Sequence, residues 1–131
     1  MNLFESTTQS LCHFIQSSPT AFHAVHTIKE LLLKQGFTQL YENSHWELHP
    51  GGHYMVIRGG SSLIAFCLPE KDPSHFQLIA SHSDSPMFKI KESPEILKAG
   101  HYVELNIEKY GGMLCAPWYD RPLGIAGRVM V

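Results

Sequence analysis

Cysteine is scarce in this sequence: Cys12, Cys67 and Cys115 lie far apart, with no CxxC spacing. An odd, scattered set builds no disulfide framework, and it fits a reducing compartment; the expectation is cytoplasmic. Charge of one sign is missing as well. Ten Lys and Arg stand against twelve Asp and Glu, a formal net charge of −2. No basic tract occurs, so the electrostatic footprint of a nucleic-acid binder is absent. No apolar run approaches the roughly 20 residues of a membrane-spanning helix. Neither nucleic acid nor membrane is therefore expected as a partner. The opening MNLFESTTQS lacks the basic segment and continuous apolar stretch of a secretory signal. Hydrophobic residues are not lacking: 44% of positions are apolar and 11% aromatic, which excludes intrinsic disorder. The 131 residues suffice for one domain and part of a second, with a core that needs no staples.

What is there reads as helices followed by strands. Leu3, Phe4, Leu11, Phe14 and Ile15 recur at helical spacing. Ser17-Ser18-Pro19-Thr20 then stops one helix and starts another, with Ser18 as the expected cap and Pro19 in the first turn. Ala21, Val25, Ile28 and Leu32 mark one face of the second helix, and Gly36 supplies its stop. From Phe37 the period changes. Residues 54–57 and 63–66 flank Gly59-Gly60-Ser61-Ser62 and predict a hairpin. Phe76-Gln77-Leu78-Ile79-Ala80 predicts a strand buried on both faces. Residues 87–91 and 102–107 alternate as half-buried strands do, and no repeat or low-complexity linker interrupts the layout. The fold class is α/β, with two N-terminal helices followed by a mixed β-sheet. The last residues, Ile125 to Val131, rise into an apolar strand, which predicts the front of a longer polypeptide.

The segment Leu78-Ile79-Ala80-Ser81-His82-Ser83-Asp84-Ser85-Pro86 is the informative one. An apolar run ends, and a His-x-Asp pair follows at the edge where α/β proteins bind ligands. Imidazole ligates metals through one nitrogen while the other donates to a carboxylate or carbonyl. Asp84 is placed to be that acceptor for His82. The same residues also suit a plain turn, in which Asp84 bonds local amides and His82 is a loop residue. Other chemistry is weaker. His23 and His26 share a helix face, but no local cysteine or carboxylate completes a zinc set. His45, His49 and His53 recur every four residues, yet Pro50-Gly51-Gly52 breaks any helix that would align them, so all three read as loop. Ser81, Ser83 and Ser85 surround His82 without a G-x-S-x-G elbow. Cys115 reads as an inert buried thiol, and Asp120-Arg121 as a surface ion pair or a turn anchor. Neither Gly59-Gly60 nor Gly111-Gly112 has the spacing of a phosphate loop.

Three stretches occur in register: Ser18-Pro19-Thr20-Ala21-Phe22-His23-Ala24-Val25, Ser81-His82-Ser83-Asp84-Ser85-Pro86, and Tyr110-Gly111-Gly112 through Trp118-Tyr119-Asp120-Arg121-Pro122-Leu123 to Ala126-Gly127-Arg128-Val129. Together they resemble the aspartyl aminopeptidase family of dinuclear-zinc metallopeptidases, along nearly the whole chain. The resemblance implies release of N-terminal, preferentially acidic, residues from peptides with a free N-terminus, by metal-activated water. It implies two zinc ions per subunit, other divalent metals being admissible, and assembly as a homo-oligomeric dodecamer. In that pattern His82 matches a zinc ligand and Asp84 the acidic catalytic-site residue that orients it, while Asp120 belongs to a turn and not to the metal set. Residues 1–95 correspond to the front of the catalytic domain and 96–131 to the start of the dimerisation domain. The family's general base and remaining ligands match nothing in this chain, so the 131 residues alone are expected to be inactive, as a fragment or interaction module. Lys89 and Lys91 read either as a solvated strand face or as positive potential toward acidic substrates.

Overall fold

Asn2 opens the first helix, α1 (Leu3–Gln16), because its side chain accepts from the Phe4 amide while Glu5 reaches back to the Asn2 amide. This reciprocal capping satisfies two amides that have no partner inside the helix. The computed structural model describes residues 2–131, and they divide into two compact units. One runs to Asp84 and includes Ala126–Val131; the other is Ser85–Ile125.

In the first unit, α2 (Ala21–Lys34) is capped by Thr20, not Ser18: Thr20 is extended and its hydroxyl accepts from the His23 amide. Helical geometry begins one residue past the cap, so Pro19 precedes the helix and Ser18 turns to Thr27 instead. Gly36, at φ 82°, ends α2. The Phe37 amide reaches the Leu32 carbonyl and the Gly36 amide the Leu33 carbonyl, the paired bonds of a glycine-terminated helix. The sheet is mixed. Strand β1 (Thr38–Leu40) lies parallel to β2 (His53–Arg58), and β2 pairs antiparallel with β3 (Ser62–Cys67). The expected hairpin is therefore present. Its turn needs left-handed backbone at Gly59 and Gly60, φ 60° and 75°, which costs glycine little.

The core is small. Ala24 and Val25 of α2 and Tyr54 and Met55 of β2 are buried, where α2 covers the sheet. Tyr54 also packs its ring at a tilt against Phe66, and its hydroxyl accepts from the His49 amide. The expected strand at Phe76–Ala80 does not form: Phe76, Leu78 and Ile79 are each about nine-tenths exposed. A central strand needs partners on both edges, and β1, β2 and β3 pair only among themselves. Most of the apolar side of α1 is likewise exposed at Leu3, Phe4, Leu11 and Ile15.

The second unit is a two-stranded ribbon with a short helix. Strand β4 (Met87–Lys98) pairs antiparallel with β5 (Tyr102–Tyr110). The register slips between Ile90 and Glu95, where Ser93 adopts φ 51° and Pro94 lacks an amide to donate. One ribbon face carries Phe88, Ile90, Leu97, Val103, Leu105 and Ile107, and the other the Lys89–Glu108 and Lys98–Glu104 ion pairs. Helix α3 (Ala116–Tyr119) places Trp118 and Tyr119 against Phe88.

Candidate metal-ligand site

The loop that follows the exposed Phe76–Ala80 segment carries His82 and Asp84. The His82 Nδ1 lies 2.7 Å from the Asp84 backbone carbonyl and 3.2 Å from its carboxylate Oδ1. Both facing groups are acceptors, so Nδ1 is the protonated nitrogen of the neutral ring, and the lone pair sits on Nε2. The His82 side chain is 79% exposed, so packing does not hold it; the hydrogen bond to the Asp84 carbonyl does. A ligating imidazole is prepared in this way, its second nitrogen fixed by a carbonyl or carboxylate that sets ring orientation, and here the Asp84 carboxylate lies beside the carbonyl.

A hydrogen bond ties this loop to the first unit's hairpin. The Ser83 hydroxyl donates to the Ser61 carbonyl at 2.8 Å. Arg128 holds the same turn. Arg128 Nη1 donates to the Gly59 carbonyl at 3.1 Å, and its guanidinium lies 4.4 Å from the centroid of Phe22. The hairpin turn thus joins α2, the His82 loop and the 126–131 segment. Spacing alone gave no sign of the Ser83 and Arg128 contacts, because their partners lie 22 and 69 positions away.

Two further histidines do other work. His23 Nδ1 is 2.8 Å from the Thr20 hydroxyl, next to the α2 cap. His53 begins β2 and packs its ring on Phe37, which corrects the loop reading: the strand starts immediately after Pro50-Gly51-Gly52. Lys89 is paired with Glu108. Cys115 is half-buried at the start of α3, not enclosed, and all three cysteines are unpaired. Arg121 lies over the Trp118 ring, 5.5 Å from its centroid, which makes it a turn anchor. Glu42 and Arg58 form an ion pair, and the Arg58 guanidinium holds the Glu42 carboxyl below the usual carboxylate range.

The donor chemistry fits one corner of a zinc centre. His82 offers a single imidazole nitrogen, and no group of three His, Cys, Asp or Glu able to hold a metal occurs among the described residues. A closed zinc site needs three or four such donors. Within the described residues, no helix is long and apolar enough to cross a membrane.

The model of the aminopeptidase I zinc metalloprotease (M18) family matches residues 14–131. The "Probable M18 family aminopeptidase 2" of Clostridium acetobutylicum is 44% identical over 125 residues, covering 94% of this chain and 29% of that protein. A protein of the same name from Pseudomonas aeruginosa is 44% identical over 123 residues, covering 92% of this chain and 28% of its own length. The chain thus spans under a third of the curated relatives it matches. Among solved structures, the cryo-EM structure of the Ape4 and Nbr1 complex superposes with a TM-score of 0.84 at 36% identity, covering 89% of this chain and 23% of that one. The S. cerevisiae mApe1 dodecamer superposes with a TM-score of 0.73 at 31% identity, covering 86% and 27%. The mixed α/β fold, the match along most of the chain and these relatives agree, and the chain belongs to the aminopeptidase I zinc metalloprotease (M18) family.

Proposed function

We propose that this chain is the front part of a zinc aminopeptidase that releases N-terminal, preferentially acidic, residues from peptides, and that His82 is one of its metal ligands. The observation that carries the reading is the His82 ring, whose Nδ1 is committed to Asp84, which leaves Nε2 as the nitrogen available to a metal. When bound, a pair of zinc ions lowers the pKa of water toward about 7 and polarises the scissile carbonyl. The chain's own residues have a narrower task. His82 donates one nitrogen, and Asp84 keeps the proton on Nδ1 and steadies the ring. The other ligands and the general base belong to sequence outside the 131 residues.

Further parts of the reading follow from the same family membership. The unit built on α1, α2 and β1–β3 is the front of the catalytic domain. Residues 96–131 open the dimerisation domain, and the division of the chain into two compact units supports a change of domain within it. Homo-oligomeric assembly is supported by the dodecameric S. cerevisiae structure, and a cytoplasmic location by the three unpaired cysteines.

A second reading has its own support: with a single donor nitrogen and no three-donor cluster among the described residues, the 131 residues alone act as a non-catalytic module. Two measurements test the pair of readings. The protein purified from its natural source should have a mass about three times the 14.8 kDa of this chain, in proportion to its relatives' length, and should hydrolyse aspartyl or glutamyl amides. In that protein, His82→Ala should lower zinc per subunit, whereas unchanged metal content would remove His82 from the site. A source protein of 14.8 kDa without turnover would establish the module.

A further inference from the structure

We propose that Ser83 is the positioning residue of the His82 ring, acting through the β2–β3 turn; the inference rests on the reading of His82 as a ligand. The ring is 79% exposed, so its orientation depends on the shape of the loop that carries it. The contact that sets the tautomer spans only two residues, from the His82 side chain to the Asp84 carbonyl and carboxylate. It exists only while residues 82–84 stay folded back on themselves. Ser83 occupies the bend of that loop, and its hydroxyl is bonded to Ser61 at 2.8 Å. Of the three serines around His82, Ser81 and Ser85 are exposed, whereas Ser83 is half-buried.

An anchor is useful only if its own footing is fixed. The Ser61 carbonyl belongs to a turn that two left-handed glycines shape and that the Ser61 amide closes onto the Arg58 carbonyl. Arg128 braces the same turn through Gly59 while lying on Phe22. Removing the Ser83 hydroxyl leaves the bend without this tie and lets the loop open. The Nδ1 proton then loses its acceptors, and a solvated imidazole returns to a mixture of tautomers. That matters for a ligand, because an Nε2–H ring has no lone pair at the nitrogen facing outward.

The test is ¹⁵N NMR of the histidine rings in the full 131-residue chain at pH 8, where imidazole is neutral. In the wild type, His82 should give the signature of the Nδ1–H form. Ser83→Ala should lose that form as the dominant one, while the β2 and β3 amide signals stay in place. Ser83→Thr, which keeps a hydroxyl, should restore it. A wild-type tautomer signature in Ser83→Ala would overturn the proposal. The zinc content of the protein from its natural source separates the two ideas. Tautomer loss in Ser83→Ala, with zinc per subunit left unchanged by His82→Ala, would uphold the positioning and defeat the ligand reading.

Discussion

Replacing Gly60 by alanine probes the contact on which the hairpin turn depends. Gly60 sits at φ 75°, and an added Cβ would lie 3.3 Å from Arg128 Nη1 and 3.6 Å from Phe22 Cδ1. Gly36 is the natural comparison: it is at φ 82°, but nothing lies within 4 Å of its added Cβ. Left-handed backbone costs an L-residue about 1–2 kcal/mol, so Gly36→Ala should lose about that much. Gly60→Ala carries the same strain plus a crowded guanidinium. Arg128 is the flexible member, but moving it sacrifices its bond to the Gly59 carbonyl or its place on Phe22, together worth about 1 kcal/mol more. For a unit of this size 1 kcal/mol corresponds to about 4–8 °C in Tm. Calorimetry should therefore find Gly60→Ala melting about 4–8 °C below Gly36→Ala. In an Arg128→Ala background that extra loss should vanish, because the two positions then share no contact. Equal destabilisation by the two glycine variants would show that Arg128 does not rest on the turn.

Met55 is fully buried on the central strand β2, and Met55→Ala should cost about 2–5 kcal/mol; a denaturant midpoint unchanged from wild type would refute the packing described. Glu42 tests electrostatics. Its carboxyl is held below the ordinary range by the hydrogen bond from Arg58. A group depressed in the folded state stabilises above its unfolded value of about 4.3, and that contribution is lost as pH falls through the lower folded value. The wild type should therefore show an acid-dependent fall in Tm that Glu42→Gln lacks, and superimposable pH profiles would contradict the pairing.

How far the sequence could be read depends on how local each interaction is. Helices α1 and α2 and the β2–β3 hairpin were legible because their periodicity, Gly36 and Gly59-Gly60 act within a few residues. Strand β1 was not: three residues, Thr38–Leu40, earn their structure only by pairing with Thr38↔Tyr54 and its neighbours. The far half of β4 was hidden by Ser93 and Pro94, which break the alternation at the register slip. Phe76–Ala80 shows the converse failure. An apolar run announces a demand for burial, but it does not say which strands will provide it. At the site, the two-residue spacing of His82 and Asp84 sufficed to place them together. The Ser83–Ser61 tie was invisible, since serines are common and the partner is a backbone carbonyl.

The central claim is that His82, among nine histidines, presents a prepared nitrogen to a metal. Titrating the ¹⁵N-labelled chain with zinc chloride while following every imidazole tests it most directly. The His82 Nε2 resonance should shift at lower zinc concentration than any other ring nitrogen, and Asp84→Asn, which keeps the backbone carbonyl and removes the charge, should narrow that lead. Prior coordination at another histidine, or at His82 through Nδ1, would contradict the account.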